Sequence, residues 1–148
     1  MKKGKHHQGL FALLLGLVGV GTSGCWQVCM YGSPCAEWEV KGKVVDEAGA
    51  PISGLQVVLG NRTNGDFYYS LDTLQTNAEG IYQIASGGAP ISNLQVDVHD
   101  IDGDQHGAFR DTTVVVRDLQ YDEGDGAWYI GRVAIDVPDI TLKNNNKQ

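Results

Sequence analysis

Short segments in which apolar and polar residues alternate follow one another along most of this chain, and they limit the folds that it can adopt. The clearest segment is 37–46. One face of it carries Trp38, Val40, Gly42 and Val44, and the other carries Glu37, Glu39, Lys41 and Lys43. A period of two residues is that of a half-buried β-strand.

Seven further segments suit strands: 55–60, 67–76, 81–85, 94–100, 112–119, 128–137 and 140–142. In the fourth of these, Leu94, Val96 and Val98 are predicted to face inwards. Turn residues separate the segments, and no stretch has a helical period; twenty glycines also suit turns better than helices. The sequence therefore predicts an all-β fold, an antiparallel β-sandwich of seven or eight strands, with a barrel as the alternative.

The N-terminus has the composition of an export signal. Three lysines and no acidic residue precede an apolar run at 10–20, and small residues follow it at 21–24. That run has eleven residues, whereas a membrane-spanning helix needs about 20. We therefore expect residues 1–24 to be a signal peptide.

Cys25 follows the sequence "TSG", which resembles the bacterial lipoprotein box. The resemblance implies that Cys25 is acylated and becomes the mature N-terminus, although Thr22 stands where the usual box has leucine. An ordinary secretory cleavage nearby is the alternative. The expected organisation is a lipidated tether at 25–36, a β-sandwich at 37–143 and a disordered tail at 144–148.

The charge limits the partners of the mature chain. Removal of residues 1–24 leaves 124 residues and takes away three lysines, which moves the formal net charge from −7 to −10. Nucleic acids and anionic lipids need a basic surface. We expect no nucleic-acid partner and a membrane contact through the N-terminal lipid.

Cys29 and Cys35 are predicted to meet an oxidising compartment, where a disulfide between them is expected. Two reduced thiols or an intermolecular bond are the alternatives. A metal site has less support. The spacing from Cys25 departs from the cluster motif of radical SAM enzymes, and zinc needs about four ligands, for which the sequence has no second pair of cysteines.

Two stretches resemble the carboxypeptidase regulatory-like, transthyretin-type domain. They are "VKGKVVDEAGAPISGLQVVL" and "TLQTNAEGIYQI". The matching positions are Val40, Gly42, Val44, Asp46, Gly49, Pro51, Ile52, Gly54, Val57, Thr76, Asn77, Gly80 and Tyr82. The resemblance implies a transthyretin-like (prealbumin-like) sandwich.

A second resemblance covers most of the mature chain. "CMYGSPCAEWEVKGKVVDE", "DIDGDQHGAF" and "GAWYIG" are similar to segments of small Bacteroidetes lipoproteins of the rSAM/lipoprotein system, whose genes lie beside that of a radical SAM enzyme. The resemblance implies such an enzyme as partner. It also implies modification within Met30, Tyr31, Gly32, Ser33 and Pro34, unless this segment is simply the turn that joins the anchor to the first strand.

Asp100, Asp102 and Asp104 alternate around Gly103 and are candidate calcium ligands, because calcium prefers oxygen ligands. The spacing is not that of an EF-hand, which has glycine at position 6 and glutamate at position 12. Here position 12 is Asp111. The alternative is a solvated acidic loop between two strands.

Little in the sequence indicates catalysis, since the common hydrolase, metalloprotease and phosphate-binding motifs are missing. His99 and His106, with Asp97 or Asp100, form the one candidate acid–base group. No residue is predicted to be catalytic, and calcium is the one candidate cofactor. Trp128 and Tyr129 are interpreted either as a stacking patch for sugars or peptides or as a cap on the core.

Two short motifs resemble the O-glycosylation sequon of Bacteroidetes, with Thr73 and Thr112 as the acceptors. The residues after the anchor, Trp26 and Gln27, are not the acidic run associated with surface export, which favours a periplasm-facing position. The function expected is that of a non-catalytic binding or structural lipoprotein of the cell envelope, with an unknown ligand. A substrate for radical SAM modification and a calcium-stabilised adhesion module are the alternatives.

Overall fold

The computed structural model of the chain describes residues 32–62, 68–103, 105 and 107–145. These residues form eight strands and no helix: β1 (Cys35–Asp46), β2 (Gln56–Arg62), β3 (Tyr68–Gln75), β4 (Ile81–Gly88), β5 (Leu94–His99), β6 (Thr112–Val116), β7 (Tyr129–Asp136) and β8 (Ile140–Leu142). In the same residues we find no helix of the length and apolarity that a membrane span requires.

The strands form two four-stranded sheets. In the first sheet β1 pairs with β4 on one side, and on the other side its beginning pairs with β7 and its end with β8. The second sheet has the order β3-β2-β5-β6. Side chains from both sheets belong to one hydrophobic core, which makes the fold a β-sandwich and confirms the predicted class.

Strand pairing is antiparallel except at β1, which runs parallel to both β7 and β8. Parallel neighbours need a long connection, and here positions 47–128 lie between β1 and β7. The predicted antiparallel sandwich therefore holds for four of the six strand pairs.

The alternation in the sequence gives the inward face of each strand. Trp38, Val40, Gly42 and Val44 are buried, and so are Leu94, Val96 and Val98. The largest side chains with less than 2% exposure are Tyr82, Leu55, Leu59, Ile91, Leu94 and Leu142. The core thus lies between the sheets, where the period-two pattern places it.

The turn after β1 is closed by its own aspartate. Asp46 Oδ1 accepts hydrogen bonds from the backbone N–H groups of Ala48 and Ala50, both at 2.8 Å. Gly49 has a φ of 83°, a conformation that costs glycine little. The aspartate and glycine of the "DEAGAP" stretch therefore act in one turn.

The turn between β3 and β4 carries the chain from one sheet to the other. Asn77 Oδ1 accepts hydrogen bonds from the N–H groups of Glu79 (3.0 Å) and Ile81 (2.9 Å). Gly80 has a φ of 71°, and a Cβ on it would collide with the carbonyl oxygen of Val44. Glycine is required here both by its φ and by the close approach of β1.

The domain extends past the predicted limits of 37–143. β1 begins at Cys35, and Asn144 forms a bridge with Phe109. The N–H of Asn145 donates a hydrogen bond to the carbonyl of Ala108 at 2.8 Å. Residues 1–31, with the predicted signal peptide and most of the tether, lie outside the described residues, as does the end of the tail at 146–148.

Candidate functional site

The segment that enters the sandwich from the N-terminus is exposed up to the start of β1. Gly32, Ser33 and Pro34 are exposed and Cys35 is half-buried. Cys35 is disulfide-bonded, and its N–H donates a hydrogen bond to the carbonyl of Trp128 at 2.9 Å. The entry point of the chain therefore lies beside the beginning of β7.

Several predicted residues of this region lie outside the described residues. They are Cys25, Cys29, Met30 and Tyr31. Lipidation, the pairing of Cys35 with Cys29 and modification of the segment consequently stay predictions.

A hairpin leading into β7 presents Trp128. Asp122 and Arg132 exchange two backbone hydrogen bonds of 2.8 and 2.7 Å. Within the loop, Asp125 Oδ1 accepts hydrogen bonds from the N–H groups of Ala127 (2.8 Å) and Tyr129 (3.1 Å). Trp128 is 51% exposed, so it does not cap the core, whereas Tyr129 is half-buried.

A second polar group lies where β5 ends and β6 begins. His99 Nδ1 is 2.8 Å from Asp111 Oδ2, and the hydroxyl of Thr113 donates to Asp97 Oδ1 at 2.6 Å. The β5–β6 ladder pairs Val98 with Thr112, and one further step places His99 opposite Asp111. The sequence suggests Asp97 or Asp100 as the partner of His99, whereas the structure places Asp111 beside it. The register of the two strands is the signal that identifies Asp111.

The predicted calcium ligands are only partly described. Asp100 Oδ2 accepts a hydrogen bond from the N–H of Phe109 at 2.8 Å, while its Oδ1 is buried and accepts none. Asp102 is half-buried, and Asp104 lies outside the described residues, as does His106. In the described ranges no three His, Cys, Asp or Glu side chains are grouped so that they could hold a metal. Calcium binding therefore stays a prediction.

The two predicted glycosylation acceptors lie on opposite edges of the second sheet, on β3 and β6. Thr73 is exposed, and its N–H donates to Asp72 Oδ1 at 2.7 Å. Thr112 is half-buried, and its hydroxyl donates to the carbonyl of Arg110 at 3.3 Å. Thr73 is thus the more accessible acceptor residue.

One depression in the described part of the surface lies beside the β1 turn. Its lining residues are Asp46, Glu47, Ala48, Phe109, Leu142 and Asn144, and its volume is about 90 Å³. Pockets for drug-sized ligands measure about 300–1,000 Å³. This depression is therefore too small to enclose a drug-sized ligand.

Comparison with known proteins bears on the fold alone. No family model matches the chain, and no curated protein matches its sequence. Among solved structures, chlorocatechol 1,2-dioxygenase from Pseudomonas putida is similar with a TM-score of 0.51 at 12% identity, over 78% of this chain and 68% of that one. Hydroxyquinol 1,2-dioxygenase from Pseudomonas putida DLL-E4 has a TM-score of 0.50 at 10% identity, over 97% and 78%.

A 9R-lipoxygenase from Cyanothece PCC8801 has a TM-score of 0.43 at 15% identity, and this chain spans 16% of its length. The two dioxygenases, with TM-scores of 0.51 and 0.50, share the fold of this chain, and identities of 12% and 10% do not carry over an activity. The class that the fold defines is therefore an all-β sandwich domain.

Proposed function

We propose that this chain is an envelope lipoprotein, anchored to a bacterial membrane through Cys25, whose β-sandwich has a non-catalytic binding or structural role. The observation that carries the proposal is the order of features at the N-terminus: lysines, a short apolar run, small residues and then Cys25. More than one acyl chain makes such anchoring stable, at about 0.8 kcal/mol for each buried methylene.

The geometry of the domain is compatible with this role. The chain between Cys25 and the start of β1 is short, and residues 32–34 are exposed. An exposed connection lets the sandwich stand beside the membrane with its core intact. The resemblance to the rSAM/lipoprotein system adds a radical SAM enzyme as the proposed partner. The absence of an acidic run at Trp26 and Gln27 adds a periplasm-facing position as the proposed location.

Replacement of the anchor residue tests the proposal. Cys25→Ala in the full-length chain should move the protein from the membrane fraction to the soluble fraction, and the mass of the variant should lack the acyl increment that the membrane-bound wild type carries. Cys29→Ala is the matched control and should stay membrane-bound. An unchanged membrane fraction for Cys25→Ala would refute the anchor.

A second candidate function is that of a substrate for radical SAM modification at 29–35. The exposure of Gly32, Ser33 and Pro34 favours it, because a modifying enzyme needs access to its target. The intact mass should then differ from that of the lipidated chain only when the neighbouring radical SAM gene is expressed. Equal masses with and without that gene would exclude it.

The calcium-stabilised adhesion module is the third candidate. The buried Asp100 Oδ1 that accepts no hydrogen bond favours it, since a cation would satisfy such an oxygen. Calcium should raise the melting temperature of the wild type and leave that of Asp100→Asn unchanged. Calorimetric titration without heat of binding would remove this candidate.

A further inference from the structure

Three large apolar side chains in the described residues are exposed: Ile101 (51%), Trp128 (51%) and Ile130 (39%). Two of them are close together in the chain, where β7 begins. We call Trp128 and Ile130 the β7 patch. Since the hairpin bonds of Asp125 and the Asp122–Arg132 pair hold this backbone, the patch is presented by a closed turn.

We propose that the β7 patch rests on the surface of the membrane that holds the anchor, in the headgroup layer of a zwitterionic phospholipid bilayer. This inference depends on the lipidation of Cys25 proposed above. Trp is enriched at membrane–water interfaces, because its ring is apolar while its N–H still finds a polar partner.

The position of the patch in the chain supports this occupant. The carbonyl of Trp128 accepts the hydrogen bond of the Cys35 N–H, so the patch lies where the chain arrives from its anchor. Cys35 lies ten positions after Cys25, which gives a reach of at most about 35 Å when fully extended. A disulfide from Cys35 to Cys29 would shorten this distance to four positions, or about 14 Å, from anchor to bridge.

The charges around the patch select the kind of lipid. Asp122, Glu123 and Asp125 lie in the same hairpin, and Arg132 forms an ion pair of 3.3 Å with Glu37. These carboxylates repel anionic headgroups. The surface that fits is therefore neutral overall, and contact is restricted to the two apolar side chains.

Tryptophan fluorescence tests the contact. The lipidated mature chain with Trp26→Phe keeps Trp128 and Trp38, and Trp38 is 4% exposed in the core. In vesicles of phosphatidylcholine with brominated acyl chains, Trp128 emission should be quenched, and its quenching by aqueous acrylamide should fall severalfold relative to the unlipidated Cys25→Ala chain. The same chain with Trp128→Phe reports Trp38 alone and should respond to neither quencher.

The possible outcomes distinguish a failure of the lipid anchor from a failure of the membrane contact of the β7 patch. Failure of the lipidated chain to float with the vesicles would refute the anchor itself. Flotation with Trp128 still open to acrylamide would refute the membrane contact alone. Protection of Trp128 in the unlipidated chain in solution would show that a protein segment covers the patch, and stronger protection in vesicles containing phosphatidylglycerol would overturn the choice of a neutral surface.

Discussion

The ring of Tyr82 lies across Gly42 on the neighbouring strand, at a directly paired position of β1 and β4. A Cβ at Gly42 would overlap the ring and the hydroxyl of Tyr82. The glycine therefore makes the space that lets a tyrosine lie in the core with 1% of its surface exposed.

Gly42→Ala should lower the free energy of unfolding by about 1–3 kcal/mol, because the core must shift to admit the methyl group. Gly88→Ala in β4 is the matched control, since a Cβ there meets nothing within 4 Å. Its effect should stay within about 0.5 kcal/mol. Urea unfolding measures both, and equal losses would show that strand propensity, and not the Tyr82 ring, decides the effect.

The hydroxyl of Tyr82 is buried and has no hydrogen-bond partner, whereas that of Tyr121 donates to the carbonyl of Ile91 and accepts from its N–H, both at 2.9 Å. Tyr82→Phe should leave stability unchanged or raise it by up to about 1 kcal/mol. Tyr121→Phe should cost about 1–3 kcal/mol, because two backbone groups lose their partner. Denaturant midpoints that shift equally in the two variants would contradict this contrast.

Burial raises the pKa of Tyr82 well above its usual value of 10.0. Burial also raises the pKa of Tyr121, against the opposing effect of its backbone hydrogen bond with Ile91. Above pH 10 a tyrosine in the unfolded chain loses its proton, whereas the raised pKa values of Tyr82 and Tyr121 favour the protonated form in the folded chain. The free energy of unfolding therefore falls as the pH rises.

Each such tyrosine contributes a slope of up to about 1.4 kcal/mol per pH unit above pH 10. Tyr82→Phe should therefore reduce the alkaline loss of stability, measured by urea unfolding between about pH 9 and 11.5. Below about pH 9 the variant and the wild type should show parallel pH dependence. An identical alkaline slope in both would mean that Tyr82 ionises normally in the folded chain.

The strands could be predicted from the sequence because their pattern is local. In β1 and β5 the alternation of side chains fixes which residues are buried. Turn residues mark the strand limits, with Asp46 at the end of β1 and Gly80 directly before β4. The predicted segment 94–100 thus differs from the observed Leu94–His99 by one residue.

The relations between distant strands could not be predicted in this way. The parallel pairing of β1 with β7 joins Trp38 to Val133, and no local pattern encodes that register. The same holds for the His99–Asp111 pair, which depends on how β6 aligns with β5, and for Trp128, whose exposure follows from the hairpin that Asp125 closes.

Thr76 is a buried threonine whose hydroxyl holds the entry to β2 against the end of β3. It donates to the carbonyl of Ile52 at 2.8 Å and accepts from the N–H of Leu55 at 3.1 Å. Thr76→Val keeps the shape but leaves both backbone groups without this partner, so we expect a loss of about 2–4 kcal/mol. Thr76→Ser keeps the hydroxyl and should lose about 1 kcal/mol through the missing methyl group.

Thr73→Val, at an exposed position of β3, is the control and should change stability by less than about 0.5 kcal/mol. Thermal and urea unfolding of the three variants would compare them. If Thr76→Val cost no more than Thr73→Val while Thr76→Ser cost more, the packing of the methyl group would be the stabilising contribution. The hydroxyl would then not be what holds the entry to β2 against the end of β3.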